Sequence, residues 1–247
     1  MRPPVLASRI ERRLLVNYRV DPEVIAPLLP SGMRPQVVNG HAVAGICLIR
    51  LGATRPRGVP APLGRHSENA AHRVAVEWDT AGGACRGVYI PRRDTDSALN
   101  ALVGGRLFPG VHRRARFTVD ERGDDLHVGF ISVDGAAVAV RARVVDTLPP
   151  SELFADLAAA SAFFEQSPVG WSDRARPGRL DGVELRTRAW RIEPVAVESV
   201  RSTWFDDPAR FPPGSAVLDG ALVMRGVPVE WIPVPSLHPT VGALSRA

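Results

Sequence analysis

Short runs of Val, Ile, Leu and Ala alternate with polar residues along most of the chain, and a Pro or Gly interrupts them every ten or so residues. A period of two is the signature of a strand with one buried face. It predicts strands over residues 9–18, 42–51, 70–79, 85–90, 112–120, 126–133, 136–146, 183–192, 195–204 and 221–231. Asn39-Gly40, Arg122-Gly123-Asp124 and Asp134-Gly135 lie between them as hairpin turn signals. Helical signals are fewer. Asp21 caps a helix that has Pro22 at its first position and Pro30 beyond its end, and Asp96 caps a second that runs through Leu102 to Gly104-Gly105. A third covers 151–164, where Leu153, Phe154, Leu157, Ala160 and Phe164 fall at helical spacing. With no βαβ alternation, the prediction is a mainly antiparallel sheet or barrel with a few helices packed outside. No shift of composition marks a boundary, so residues 1–247 are read as a single domain. The Pro-, Gly- and Arg-rich stretches 54–68 and 170–181 are expected to be long loops near a pocket.

Composition narrows the chemistry. A chain of 247 residues, 45% hydrophobic and 23% charged, has the make-up of a globular protein. No window approaches the ~20 apolar residues of a membrane helix. The opening MRPPVLASRIERR lacks the apolar core of a signal peptide, and no lipidation signal is present, so a cytoplasmic protein with no membrane partner is expected. Cys47 and Cys85 supply neither a disulfide framework nor a zinc-ligand set and are read as free core thiols. The most informative feature is an absence. All 31 basic residues are arginine, and there is no lysine. No side chain can form a Schiff base, occupy a P-loop lysine position or act as a lysine general base, because arginine stays protonated at any ordinary pH. The net charge of +5 and a pI near 10.4 raise the question of nucleic acid. The arginines are spread along the whole chain, however. Their densest cluster, His112-Arg113-Arg114-Ala115-Arg116, has strand-like alternation and no binding motif after it, so a solvated surface and no nucleic-acid partner is the reading.

Within 70–78 the period of two puts His72 in phase with Val74, Val76 and Trp78, pointing inward as either a satisfied core histidine or a pocket acid/base. His66, Glu68 and His72 share parity, but their spacing matches no metal motif, and neither a metal nor a cofactor is expected. Glu68 remains a candidate general base. There is no G-x-S-x-G, C-x-x-C, H-E-x-x-H or Gly-rich dinucleotide loop, which removes support for hydrolase, redox and nucleotide classes. Glu198, Asp219 and Glu230, set among apolar residues, are expected to pair with arginines.

The run GVYIPRRDTDSALNALVGGRLFPGVHRRARF resembles the central segment of the YqjF-like family of unknown function, within the acetoacetate decarboxylase-like superfamily. VNYRVDPEVIAPLLPSGMRPQVVNGHAVAGICLIRL, SENAAHRVAVEW and LDGALVMRGVPVEWIPV extend the resemblance over residues 9–233. The resemblance implies a cone-shaped, mainly antiparallel β-barrel with a few peripheral helices, enclosing a small-molecule pocket, often within a homo-oligomer. Acetoacetate decarboxylase follows a barrel strand with a proline and two lysines, the first of which forms a Schiff base with the keto acid. Pro91-Arg92-Arg93 lies at that position and cannot. Guanidinium groups there would instead hold an anion through paired hydrogen bonds. Alternation sends Arg92 and Arg93 to opposite faces, so that one reaches the cavity and the other pairs with Asp94 or Asp96. Tyr89 opens the same stretch and is counted with them as a substrate contact. The function expected is binding of a small carboxylated or enolizable molecule. Either His72 or Glu68 would transfer a proton in a lyase, isomerase or cyclase step that needs no imine; the alternative is a non-catalytic carrier or sensor.

Overall fold

A computed structural model describes residues 3–105, 109–173 and 179–237. All ten predicted strands form: β1 (Leu6–Val20), β4 (His41–Pro56), β5 (Arg65–Thr80), β6 (Gly83–Thr95), β7 (His112–Arg122), β8 (Asp125–Ser132), β9 (Ala137–Val144), β11 (Leu180–Arg186), β12 (Glu193–Ser202) and β13 (Ala216–Leu237). Short segments β2 (Met33–Pro35), β3 (Val37–Val38) and β10 (Val169–Asp173) join them. β10 has too few residues to show alternation, and it is held by pairing parallel to β6 and antiparallel to β11. The expected loop 54–68 is shortened by strand at both ends, and in 170–181 residues 170–173 and 180–181 are strand, with 174–178 outside the described residues.

The helices are shorter than predicted. α1 (Pro22–Ile25) continues as a single 3₁₀ turn, Ala26–Leu28, with Asp21 accepting from the Glu23 amide. α2 (Ala98–Val103) is capped by Ser97, not Asp96; the Ser97 hydroxyl accepts from the Asn100 amide at 3.2 Å. Asp96 instead accepts from the Glu68 amide at 3.0 Å. α3 (Leu157–Glu165) begins at the Asp156 cap, because Ser151 folds the residues before it into a turn by accepting from the Leu153 and Phe154 amides.

The thirteen strands make one sheet, and pairing of β5 with β6 closes part of it into a ring: β5-β6-β7-β8-β9-β12-β13-β1-β4. Neighbours within the ring are antiparallel except β6 and β7. Closure leaves the nine ring strands without a free edge. The wall formed by β13, β1, β4, β5 and β6 is buried on both sides. Leu14, Val16, Ile46, Leu48, Val74 and Val223 face the ring interior, while Leu15, Val43, Cys47, Ala75 and Met224 face outward beneath Leu153, Phe154 and Phe164. β7, β8 and β9 have one buried face only, which is why their alternation is the clearest.

Charge enters the ring interior in pairs. Arg12, 1% exposed, donates to Glu68 at 2.5 Å and also to Glu121; Arg50 donates to the other Glu68 oxygen at 2.6 Å. Two arginines and two glutamates thus satisfy one another where β1, β4, β5 and β7 meet. Removing one partner of such a buried pair strands the other charge. Glu68→Ala is therefore expected to lower stability by about 3 kcal/mol, read as a shift of the urea midpoint at unchanged m-value.

Candidate functional site

β6 carries one more residue than β5 between the pairs Val74–Tyr89 and His72–Arg92. The bulge falls at Ile90-Pro91, where proline has no N–H to give to the ladder. Its consequence is a change of face. Tyr89 and Arg92 both follow their β5 partners into the ring interior, although they are three positions apart, and Arg93 points to the outer face. Arg92 therefore meets His72, while Arg93 does not.

His72 is 1% exposed, and neither ring nitrogen has a hydrogen-bond partner among the described residues. Its ring lies 5.4 Å from Trp204 and 6.4 Å from Phe130. Burial, and after it the charges of Arg92 and Arg210, push its pKa down to about 3, so the imidazole is neutral. His72 floors a cleft of about 460 Å³ whose walls include Arg92, Arg113, Asp134, Trp204 and Arg210. Arg210 stacks over the Trp204 ring at 4.0 Å and donates to the Trp204 carbonyl.

Arg92 is held from two sides. It donates twice to Asp94, at 2.7 Å each, and twice to Asp134, at 2.9 and 2.7 Å. The arginine that reaches the cleft is thus also the one that pairs with Asp94. Four of its five N–H groups are engaged. Asp134, at the turn between β8 and β9, also meets Arg113 at 3.2 Å, and its bond to Arg92 holds its carboxyl well below the usual range. Arg93 donates to Ser172 at 2.9 Å. Tyr89 donates its hydroxyl to Asp173 at 2.6 Å, and burial together with that bond pushes the phenol up.

Glu68 does not join His72. The two lie on the same face of β5 but four residues apart, about 13 Å along a strand. Glu68 instead borders a second cleft, of about 540 Å³, with Arg50, Asp96 and Phe117. His66 pairs with Glu11 at 3.3 Å, and no group of three or more metal-ligating side chains occurs among the described residues. Of the acidic residues expected to pair with arginine, Glu230 meets Arg57 at 3.8 Å, whereas Asp219 accepts from the Ser151 hydroxyl and the Glu152 amide. Sequence reasoning did not single out Asp134, Trp204 or Arg210 for the cleft. Asp134-Gly135 carried a turn signal, and the other two follow β12 with no local mark of function.

A closed, mainly antiparallel ring with a cleft lined by its PRR strand defines an acetoacetate decarboxylase-like fold, and solved structures agree. The chain superimposes on an acetoacetate decarboxylase-like enzyme from Sphingomonas wittichii RW1 with a TM-score of 0.64 and 16% identity, over 96% of this chain and 94% of that one. The enduracididine biosynthesis enzyme MppR complexed with pyruvate gives 0.65 and 14%, over 97% and 91%. Acetoacetate decarboxylase from Legionella pneumophila gives 0.59 and 14%, over 95% and 88%. The chain belongs to the DUF2071 family, an uncharacterized conserved protein, which matches residues 7–219. No curated protein matches it in sequence. No helix among the described residues is long and apolar enough to cross a membrane.

A neutral buried imidazole sets a direction for pH dependence. Between about pH 6.5 and 3 the unfolded chain protonates His72 while the native protein does not, so its contribution to stability is complete above pH 6.5 and is lost as pH falls. His112, pushed down to about 3 by burial and then by Arg93, adds the same slope. His72→Phe is expected to flatten the fall in unfolding free energy between pH 7 and 4, and the wild-type His72 ring proton should show no NMR titration between pH 5 and 8.

Proposed function

We propose that this chain binds a small carboxylated or enolizable organic molecule in the His72 cleft without forming an imine. The observation that carries the reading is the buried His72 ring, which has both nitrogens unpartnered at the floor of a cleft walled by Arg92, Arg113 and Arg210. An unsatisfied polar group is costly to bury, and a ligand that hydrogen-bonds it recovers that cost. Arg113 and Arg210, with side chains 44% and 30% exposed, are open to an incoming anion. Asp134 already occupies the outer side of Arg92 as a bidentate carboxylate, and in this reading it holds the place that the ligand carboxylate takes. Pyruvate bound to the structural neighbour MppR is a molecule of the same class.

The chemistry open to such a site is proton transfer. A carboxylate beside His72 opposes the effect of the arginines and raises the basicity of the ring. The imidazole can then take a proton from a carbon next to a carbonyl, while the guanidinium groups stabilise the enolate. That serves a lyase, isomerase or cyclase step. A second reading, a carrier or sensor, is favoured by the placement of Glu68 in a separate cleft and by the pairing of Asp134 and Asp207 with arginines, which leave His72 without a free carboxylate partner.

Titration with pyruvate, acetoacetate and small hydroxy acids, followed by thermal denaturation, tests the binding. A true ligand at a hundredfold its Kd stabilises by about 2.7 kcal/mol. Arg92→Ala and Arg113→Ala are expected to abolish the shift, and Asp134→Asn to enlarge it; an unchanged shift in all three variants would overturn the reading. Borohydride trapping with a keto acid is expected to leave no side-chain adduct. Exchange of the methyl protons of pyruvate in D₂O, present in the wild type and lost in His72→Asn, identifies the enzyme; saturable binding without exchange identifies the carrier.

A further inference from the structure

The outer face of the ring wall holds three arginines that the His72 cleft does not use. Arg13 on β1, Arg73 on β5 and Arg93 on β6 all surround Cys47 of β4. Cys47 lies level with Ala71 of β5, which in turn pairs with Arg93, while Arg73 pairs with Gly45, two residues from Cys47. Arg13 donates to the Cys47 sulfur at 3.4 Å, and the guanidinium groups of Arg73 and Arg93 are both within electrostatic reach of it. A Cβ at Gly45 would lie 3.2 Å from Arg73 Nη2, so that guanidinium lies against the sheet beside Cys47.

Their partners are neutral. Arg73, 3% exposed, donates to the Asn17 amide oxygen and lies 4.8 Å from the centre of the Phe164 ring, and its Nε and Nη1 have no hydrogen-bond partner. Arg93 has the Ser172 hydroxyl and Arg13 the Cys47 thiol. None of the three forms an ion pair with a carboxylate among the described residues. The contrast is with the inner face, where Arg12 and Arg92 each have two carboxylates. An arginine cannot shed its charge at ordinary pH, so a cluster of three built around the buried Arg73 needs a counter-charge or keeps a desolvation cost.

We propose that this outer-face cluster is an oxyanion-binding site, separate from the His72 cleft, in which Arg13, Arg73 and Arg93 take a small carboxylate, phosphate or sulfate group against the sheet at Cys47. Arg73 is its anchor, because its two unpartnered nitrogens are buried donors with no acceptor among the described residues. Gly110 fixes Arg93 from the far side: at φ 84° its backbone passes so close that a Cβ there would lie 2.6 Å from the Arg93 Nε. The charge-assisted bonds available to an oxyanion are about twice as strong as the neutral ones now present.

Calorimetry and thermal denaturation of the full chain, in chloride buffer at constant ionic strength, with inorganic phosphate, sulfate and acetate titrated separately, test the site. At least one of the three is expected to bind saturably and raise the Tm. Arg73→Met should lose both effects, and Arg13→Gln and Arg93→Gln should each weaken binding about tenfold or more. Arg92→Ala, in the other cleft, should leave it unchanged. The half-buried position of Arg13 keeps the test valid if Arg73→Met fails to fold. The proposal is overturned if the wild type binds none of the three anions. It is also overturned if the binding survives Arg13→Gln and disappears in Arg92→Ala.

Discussion

The desolvated guanidinium group is the constraint on which this structure turns. A chain whose 31 basic residues are all arginine cannot neutralise a buried cation by deprotonation, as lysine can. Every arginine that closure of the ring takes out of water must find an acceptor. Arg12 draws Glu68 and Glu121 together across β1, β5 and β7, and Arg92 draws Asp94 and Asp134 together across β6 and the β8–β9 turn. These pairs tie strands that are distant in sequence, so the same requirement that limits where arginine can sit also fastens the ring.

The bulge at Ile90-Pro91 distributes the charge. Without it, Tyr89 and Arg93 would share a face and Arg92 would lie opposite them. With it, Tyr89 and Arg92 enter the interior and Arg93 leaves it. One extra residue thus separates two cationic environments on either side of a single wall: an inner one balanced by carboxylates beside a neutral histidine, and an outer one built on Cys47, Asn17 and Ser172.

The fold is shared with enzymes of the acetoacetate decarboxylase class, while a chain without lysine has no side-chain amine for imine chemistry. Beside the permanent cation of Arg92 the cleft holds His72, whose ring is kept neutral by burial. Glu68, the other candidate, is engaged in the Arg12 and Arg50 network and serves the ring.

Much of this was legible in the chain alone. Alternation located ten strands, because a strand with one wet face writes its burial into every second residue, and the absence of lysine excluded a side-chain imine without any coordinates. The opposite facing of Arg92 and Arg93 was also local, since neighbours on a strand must diverge. The short β10 was not legible, nor was the Ser97 cap in place of Asp96, where two adjacent polar residues offer the same bond. Nor could the chain show which arginine meets His72: a one-residue bulge reverses the answer, and only the pairing of β6 against β5 records it. Asp134, Trp204 and Arg210 reach the cleft through closure of the ring, from segments with no local periodicity of their own. Sequence by itself determined the strands and the chemistry that cannot occur; tertiary structure decided which charges lose water and what they face, because desolvation depends on everything packed around a group and not on its neighbours along the chain.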